Sequence, residues 1–212
     1  MRQLNFVAMV AAAGLSKRFG SDKALACVSG RPSAEHSAYL LSQIWPRKMY
    51  VTLPNHLLFH QTLQTSLNRL GALTIPNLFP KLGYAGSIKS VLTINQDESD
   101  GMIVTAVDSP IFSKRLLVLM LNVATFFWGK PTIIVPYFYF YPGHPVYVSK
   151  EFFDELRRGK HRGLDSVIAA NKQWAHALFY PDTRILLNMN MGIIHQEDLL
   201  PLQLSNQNLR EY

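Results

Sequence analysis

Leu4-Asn5-Phe6-Val7-Ala8-Met9-Val10-Ala11-Ala12-Ala13-Gly14 is the stretch on which the fold turns. Residues 4–11 are almost continuously apolar over strand length, and a run that does not alternate suits a strand buried on both faces, as in a parallel sheet. Arg2 just ahead of it gives the N-terminus a superficial likeness to a short secretory leader. Asn5 interrupts the run, one positive charge precedes it, and it passes straight into a glycine-containing turn, so it reads as a strand end. Outward from there the pattern repeats. Ser33 can cap a helix over 33–44; 48–53 reads as a strand, 56–70 as a helix, and 72–75 as a third strand. Residues 86–95 read as a helix, 101–107 as an apolar strand ending in Asp108, and 113–125 as a helix capped by Ser113. Strands and helices alternating at this spacing imply right-handed βαβ units and an α/β sandwich on a parallel sheet.

Beyond Lys130 the rhythm changes. A strand over 132–136 leads through the aromatic tract 137–141 to Pro142-Gly143-His144-Pro145 and a strand over 146–148. Residues 131–149 read as an insertion around the sheet of a single domain, 1–204. Helices over 150–157 and 165–171, strands over 175–180 and 185–188, and a polar tail at 205–212 complete the reading. A chain of 212 residues suits one domain. With 48% apolar and 17% charged residues it can bury a core, which excludes disordered and collagen-like classes. Lysine plus arginine number 21 against 14 acids, and the resulting +7 favours anionic partners. The cations are spread along the chain, not run together, which disfavours nucleic acid. A single cysteine, Cys27, excludes an internal disulfide and suits a reducing compartment. The apolar stretch 116–128 contains Asn122 and Thr125 and is shorter than the ~20 residues that cross a bilayer, so it reads as a buried helix. The expectation is a soluble, cytoplasmic protein with no membrane partner.

The segment after the first strand, residues 12–23, holds Gly14 and Gly20, Ser16, and the cations Lys17, Arg18 and Lys23. Open α/β sheets bind ligands beyond the carboxyl ends of their strands, and turn N–H groups with Arg and Lys suit phosphate there. The spacing matches neither G-x-G-x-x-G nor G-x-x-x-x-G-K-[ST], which removes support for hydride transfer and for P-loop hydrolysis. On this segment alone, a strand-to-helix connection with a solvated basic face explains the residues equally well.

Taken further, Ala12-Ala13-Gly14-x-Ser16-x-Arg18-Phe19-Gly20-x-x-Lys23-x-Leu25, continuing into Gly30-Arg31-Pro32 and Glu35-His36, resembles the opening signature of the MobA-like NTP transferase family, which includes the molybdenum cofactor guanylyl- and cytidylyltransferases. The resemblance extends over roughly residues 4–200. It implies a three-layer α/β/α sandwich with a mostly parallel, Rossmann-like sheet of the nucleotide-diphospho-sugar transferase type. It also implies that Ala12, Ala13, Gly14 and Ser16 contact the nucleotide while Arg18 and Lys23 neutralise its phosphates. Gly83-Tyr84-Ala85-Gly86-Ser87 resembles the segment that opens a helix beside the base, which makes Gly86 and Ser87 nucleotide-binding candidates; a Gly-Ser helix start is more often only a cap. Val107-Asp108-Ser109-Pro110 resembles the strand-end carboxylate at which the family binds magnesium. Gly143-His144-Pro145 resembles the cytidylyltransferase subgroup and makes His144 a substrate-binding candidate, although a lone His in such a turn can bond its own backbone.

The resemblance weakens at the end. The family's Thr-Pro-Glu-Asp strand end is replaced by Leu187-Asn188-Met189-Asn190-Met191, so Asn188 and Asn190 offer a metal carbonyl oxygens without charge. The implied activity is Mg²⁺-dependent nucleotidyl transfer, with Mn²⁺ as the alternative ion, from a nucleoside triphosphate to a phosphorylated acceptor such as a pterin. The alternatives are a different acceptor, such as a sugar phosphate, and a nucleotide-binding protein without turnover. An oxidoreductase on the same scaffold is disfavoured by the missing dinucleotide fingerprint.

Overall fold

The computed structural model describes residues 4–14, 22–95, 99–158 and 163–189. In chain order its strands and helices are β1 (Phe6–Ala11), β2 (Cys27–Val28), β3 (Arg31–Pro32), α1 (Ser33–Ser42), β4 (Lys48–Leu53), α2 (Gln61–Arg69), β5 (Ala72–Pro76) and α3 (Gly83–Ile94). There follow β6 (Gly101–Ala106), α4 (Lys114–Phe126), β7 (Ile133–Phe138), β8 (Tyr141–Pro142), β9 (Val146–Ser149), α5 (Phe153–Arg158), α6 (Leu164–Ala170) and β10 (Ala175–Phe179).

The eight-stranded sheet has the order β10-β7-β9-β6-β1-β4-β5, with β8 paired to β7. β1 is buried along its whole length and pairs in parallel with β4 on one side and β6 on the other. β4–β5 and β7–β10 are also parallel, while β9 lies antiparallel between β6 and β7. The order runs outward from β1 through β4 and β5 on one side and resumes with β6 on the other. The crevice beyond the carboxyl ends of β1 and β6 is therefore the topological switch point.

The two faces of the sheet carry two cores. Phe6, Ala8 and Val10 of β1 join Ala38 and Leu41 of α1, Leu63 and Leu67 of α2, and Leu116 and Leu117 of α4. Val7, Met9 and Ala11 point the other way, among Ile88 and Val91 of α3, Phe153 and Leu156 of α5, and Val167 of α6. The period of two in β1 thus feeds both layers, and the unbroken apolar run is the sequence trace of that double burial.

Several boundaries differ from the sequence reading. The stretch 131–149 does not wrap around the sheet: it forms β7, β8 and β9 within it. Residues 185–188 form no strand. A 3₁₀ turn, Thr183–Leu186, stands there, because Asp182 accepts hydrogen bonds from the Arg184 backbone N–H (3.0 Å) and from its Nε (2.8 Å), and local side-chain pairing of this kind competes with sheet formation. The helix expected over 86–95 begins one turn earlier, at Gly83, and Gly86 lies inside it. A methyl group on Gly86 would sit 2.1 Å from the Phe79 carbonyl oxygen, so close backbone approach accounts for that glycine. Within 56–70, α2 is preceded by a separate 3₁₀ turn, Asn55–Leu57, and is capped by His60, whose Nδ1 accepts from the Leu63 N–H at 3.3 Å. Among the described residues no helix is long and apolar enough to cross a membrane.

Candidate active site

Asp108 follows β6 at the switch point, and the backbone around it is tied down from four sides. Val107 N–H donates to the Ala11 carbonyl (3.0 Å), Ser33 Oγ to the Val107 carbonyl (2.6 Å), Ser109 N–H to the Ala106 carbonyl (3.0 Å), and Met189 N–H to the Asp108 carbonyl (2.8 Å). β1, the start of α1 and the segment after the Thr183–Leu186 turn therefore all converge on this carboxylate. Lys23, in the short 3₁₀ turn Lys23–Leu25, reaches it from the other side of the crevice: Nζ lies 3.4 Å from Asp108 Oδ2, with side-chain exposures of 12% and 22%. A cation and a carboxylate share the carboxyl end of the β1–β6 pair, the place this topology reserves for ligands.

The other expected site residues fall as follows. Ala12 and Ala13 are buried and Gly14 is exposed. The Ala12 N–H donates to the Thr52 carbonyl (3.0 Å) and approaches Thr52 Oγ1 (3.3 Å), so that amide is engaged inside the sheet. Ser87 is buried within α3, where its hydroxyl accepts from Asn77 Nδ2 at 3.4 Å. Asn188 precedes Met189, whose N–H binds the Asp108 carbonyl, so the chain brings this asparagine into the neighbourhood of the carboxylate. Ser16, Arg18 and Asn190 lie outside the described residues.

A cavity of about 660 Å³ opens beside Asp108. Its polar lining comes from Tyr84 at the start of α3, His144 in the turn before β9, Asp165 in the first turn of α6, and Lys172; Val135, Tyr137, Val146 and Ile168 supply apolar wall. Gly143 permits the close packing of this turn, since a Cβ there would lie 2.6 Å from the Ile185 carbonyl, and His144 N–H donates to that same carbonyl at 3.2 Å. The Tyr84 and His144 rings meet edge to face, 6.2 Å between centroids. Burial holds the His144 imidazole below its ordinary range, with the nearby Asp108 and Asp165 carboxylates and a hydrogen bond to the Val104 backbone pulling weakly the other way. Burial likewise pushes the Tyr84 phenol far up, reinforced by Asp165 and Asp108, so it stays protonated.

Tyr84, Asp165 and Lys172 were not singled out from sequence. Their sequence signals are weak: Tyr84 stands within the Gly83–Gly86 segment, and an Asp in a first helical turn reads as a helix-dipole partner. Among the described residues no group of three or more His, Cys, Asp and Glu side chains could hold a metal ion by itself. One strand-end carboxylate completed by substrate phosphates and water nevertheless fits Mg²⁺ or Mn²⁺, which need few protein ligands, and Asp108 meets that requirement.

A switch-point crevice of this kind, with its carboxylate and lysine, belongs to an open α/β domain of the sort that binds ligands beyond the carboxyl ends of its strands. The model of the MobA-like NTP transferase domain matches residues 8–176, and the chain belongs to that family. Its sheet and helices have the nucleotide-diphospho-sugar transferase fold. Molybdenum cofactor guanylyltransferase of Xanthomonas euvesicatoria pv. vesicatoria (strain 85-10) is 32% identical over 115 residues, 54% of this chain and 53% of that protein. This chain thus spans about half the length of the curated relative it matches. A nucleotidyl transferase from Methanothermobacter thermautotroptrophicus (Mth528) shares the fold with a TM-score of 0.69 at 16% identity, over 92% of this chain and 94% of that one. The manganese complex of Rv0371c from Mycobacterium tuberculosis H37Rv does so with a TM-score of 0.63 at 17% identity, over 84% and 89%.

Proposed function

We propose that the chain is a nucleotidyltransferase that moves a nucleoside monophosphate from a nucleoside triphosphate to a phosphorylated acceptor, a molybdopterin-type pterin phosphate, and releases pyrophosphate. The observation that carries the reading is the Lys23–Asp108 pair, 3.4 Å apart at the sheet's switch point, with Asp108 lining a cavity large enough for a second substrate. An acceptor phosphate oxygen attacks the α-phosphorus, the bond to the bridging oxygen breaks, and pyrophosphate leaves with that electron pair. Such a reaction asks the protein for position and charge neutralisation more than for covalent chemistry. Lys23 neutralises phosphate oxygens as charge shifts toward the leaving group, and Arg18 is its proposed partner on the triphosphate. Ala12, Ala13, Gly14 and Ser16 flank the triphosphate, and Gly86 and Ser87 hold α3 beside the base. Asp108 would hold Mg²⁺ or Mn²⁺, with Asn188 and Asn190 as neutral helpers, and the ion supplies neutralisation of the phosphates when bound. The manganese-bound relative supports a divalent ion at a site of this fold. His144 orients the acceptor.

Gly143-His144-Pro145 favours cytidylyl transfer. The match to the Xanthomonas guanylyltransferase favours guanylyl transfer as the second reading. Both are separated by one screen of pyrophosphate release over the four common NTPs, with Mg²⁺ or Mn²⁺ and with pterin and sugar phosphates as acceptors. Release that requires metal and acceptor supports the reading and identifies the base. Nucleotide binding with no release under any combination would instead make this a binding protein without turnover. We also propose that the chain is a single domain over 1–204 that works in the cytoplasm and takes neither nucleic acid nor membrane as partner.

A further inference from the structure

Ser33 stands where the sequence places a helix cap, yet among the described residues its hydroxyl caps nothing in α1. The helix begins at Ser33 itself, behind Pro32, with no side-chain cap. A serine hydroxyl at a helix start ordinarily accepts from the helix's own first N–H groups. Here it leaves the helix and donates to the Val107 carbonyl, 74 positions away in the chain, at 2.6 Å. Ser33 is fully buried and Val107 nearly so. That carbonyl belongs to the residue just before Asp108, so the hydrogen bond fixes the peptide from which the carboxylate projects.

The same residue holds the lysine's side of the crevice through its backbone. Ser33 N–H donates to the Ala26 carbonyl at 2.8 Å, closing the base of the β2–β3 hairpin, and Ala26 N–H donates to the Lys23 carbonyl at 3.1 Å. Ala24, Ala34 and Val107 share one apolar core, so the Lys23–Leu25 turn, the start of α1 and the end of β6 pack together. A serine hydroxyl turns about a single bond and rests in one of a few staggered positions. Its hydroxyl and its N–H therefore hold two backbones at a defined separation, and across that separation Lys23 Nζ and Asp108 Oδ2 meet at 3.4 Å. Rate depends steeply on such spacing, since a misplacement of about 1 Å can cost about a hundredfold. We propose that Ser33 is a positioning residue that sets the spacing of Lys23 and Asp108 and acts through both without touching substrate. The inference rests on the nucleotidyltransferase reading for what the spaced pair acts on.

The test is a double-mutant cycle of Ser33→Ala with Lys23→Ala, controlled by Ala34→Gly. Ala34 is equally buried at the next position of α1, and its substitution loosens the same core without touching the hydrogen bond. The readouts are metal-dependent pyrophosphate release and calorimetric binding of ATP, CTP, GTP and UTP with Mn²⁺, with melting temperatures alongside. The expected result for Ser33→Ala is a fall in kcat of about tenfold or more, a several-fold rise in the metal concentration at half-maximal rate, and an unchanged KM for the acceptor. The same substitution should do far less when Lys23 is already alanine, because residues that act as a unit are not additive. Losses that multiply in the double variant, equal loss of release in Ala34→Gly at an equal drop in melting temperature, or wild-type kcat in Ser33→Ala would each overturn the proposal. The two readings fail separately: wild-type release in Ser33→Ala removes Ser33 and leaves nucleotidyl transfer standing. Nucleotide binding without release under any combination sinks nucleotidyl transfer, and the cycle is then read on nucleotide affinity, which Ser33→Ala should weaken with Lys23 present and not without it. A wild type that binds none of the nucleotides overturns both.

Discussion

Lys23 and Asp108 illustrate how differently two residues of one pair bear on stability and on chemistry. Both side chains are partly exposed, and an ion pair of that kind contributes at most about 1 kcal/mol to folding. On the proposed reading, in which phosphate charge shifts past Lys23 in the transition state, the same lysine is worth more, about 2.7–4 kcal/mol by analogy with oxyanion-hole donors. Lys23→Ala should therefore lower turnover by two or more orders of magnitude while the melting temperature moves by only a few degrees; wild-type turnover in that variant would remove Lys23 from the site. Gly86 is the opposite case. Its Cβ position is filled by the Phe79 carbonyl, so Gly86→Ala must displace backbone and should cost about 1–3 kcal/mol, read as a drop in the denaturation midpoint. Asp108 was legible in the sequence because an apolar strand followed by a carboxylate and x-Pro has one natural place in this topology. Tyr84, Asp165 and Lys172 were not, since Tyr84 comes from α3 and the other two from α6 and the turn after it, and only the folded cavity brings them together.

The Thr183–Leu186 turn is the element that holds the two halves of the site in register. Its Ile185 carbonyl receives the His144 N–H, and three residues past the turn Met189 N–H binds the Asp108 carbonyl. The turn is closed by a two-point contact, Arg184 Nε to Asp182 Oδ1 at 2.8 Å and Nη2 to Oδ2 at 2.7 Å. Arg184→Leu removes that clasp. The expected outcome is a stability loss of about 1 kcal/mol with a several-fold rise in KM for the acceptor and little change in KM for the nucleotide. Steady-state kinetics with each substrate varied in turn checks the split. This element was misread as a strand because Ile185-Leu186-Leu187 is apolar and short, and a run of that length does not by itself distinguish strand from turn. The Asp182–Arg184 pairing that decides the matter is a side-chain event. By contrast β1, β4 and β6 were plain in the sequence, because burial on both faces writes an unbroken hydrophobic run.

At the scale of the whole molecule, the main sheet separates two apolar layers. Among the described residues, two histidines are held below their ordinary range of about 6.5: His144, chiefly by burial, and His36, by burial and then by Arg31. The unfolded chain takes up these protons more readily than the folded one. Their contribution is therefore intact above the ordinary histidine value and is lost as pH falls below it. Arg184 holds the Asp182 carboxyl below its ordinary value against the opposing effect of burial, so that contribution is lost only at more acidic pH. Thermal stability should decline between pH 7.5 and 5.5, and His144→Gln should flatten the decline without abolishing it, since His36 remains; an identical pH slope in the variant would contradict this. The most direct test of the account as a whole is pyrophosphate release against Mg²⁺ and Mn²⁺ concentration for the wild type, Asp108→Asn and Asn188→Asp, with melting temperatures alongside. The account predicts that Asp108→Asn stays folded and loses metal-dependent release, while Asn188→Asp keeps its activity or saturates at lower metal. An unchanged metal titration in Asp108→Asn, with activity lost in Asn188→Asp, would contradict it.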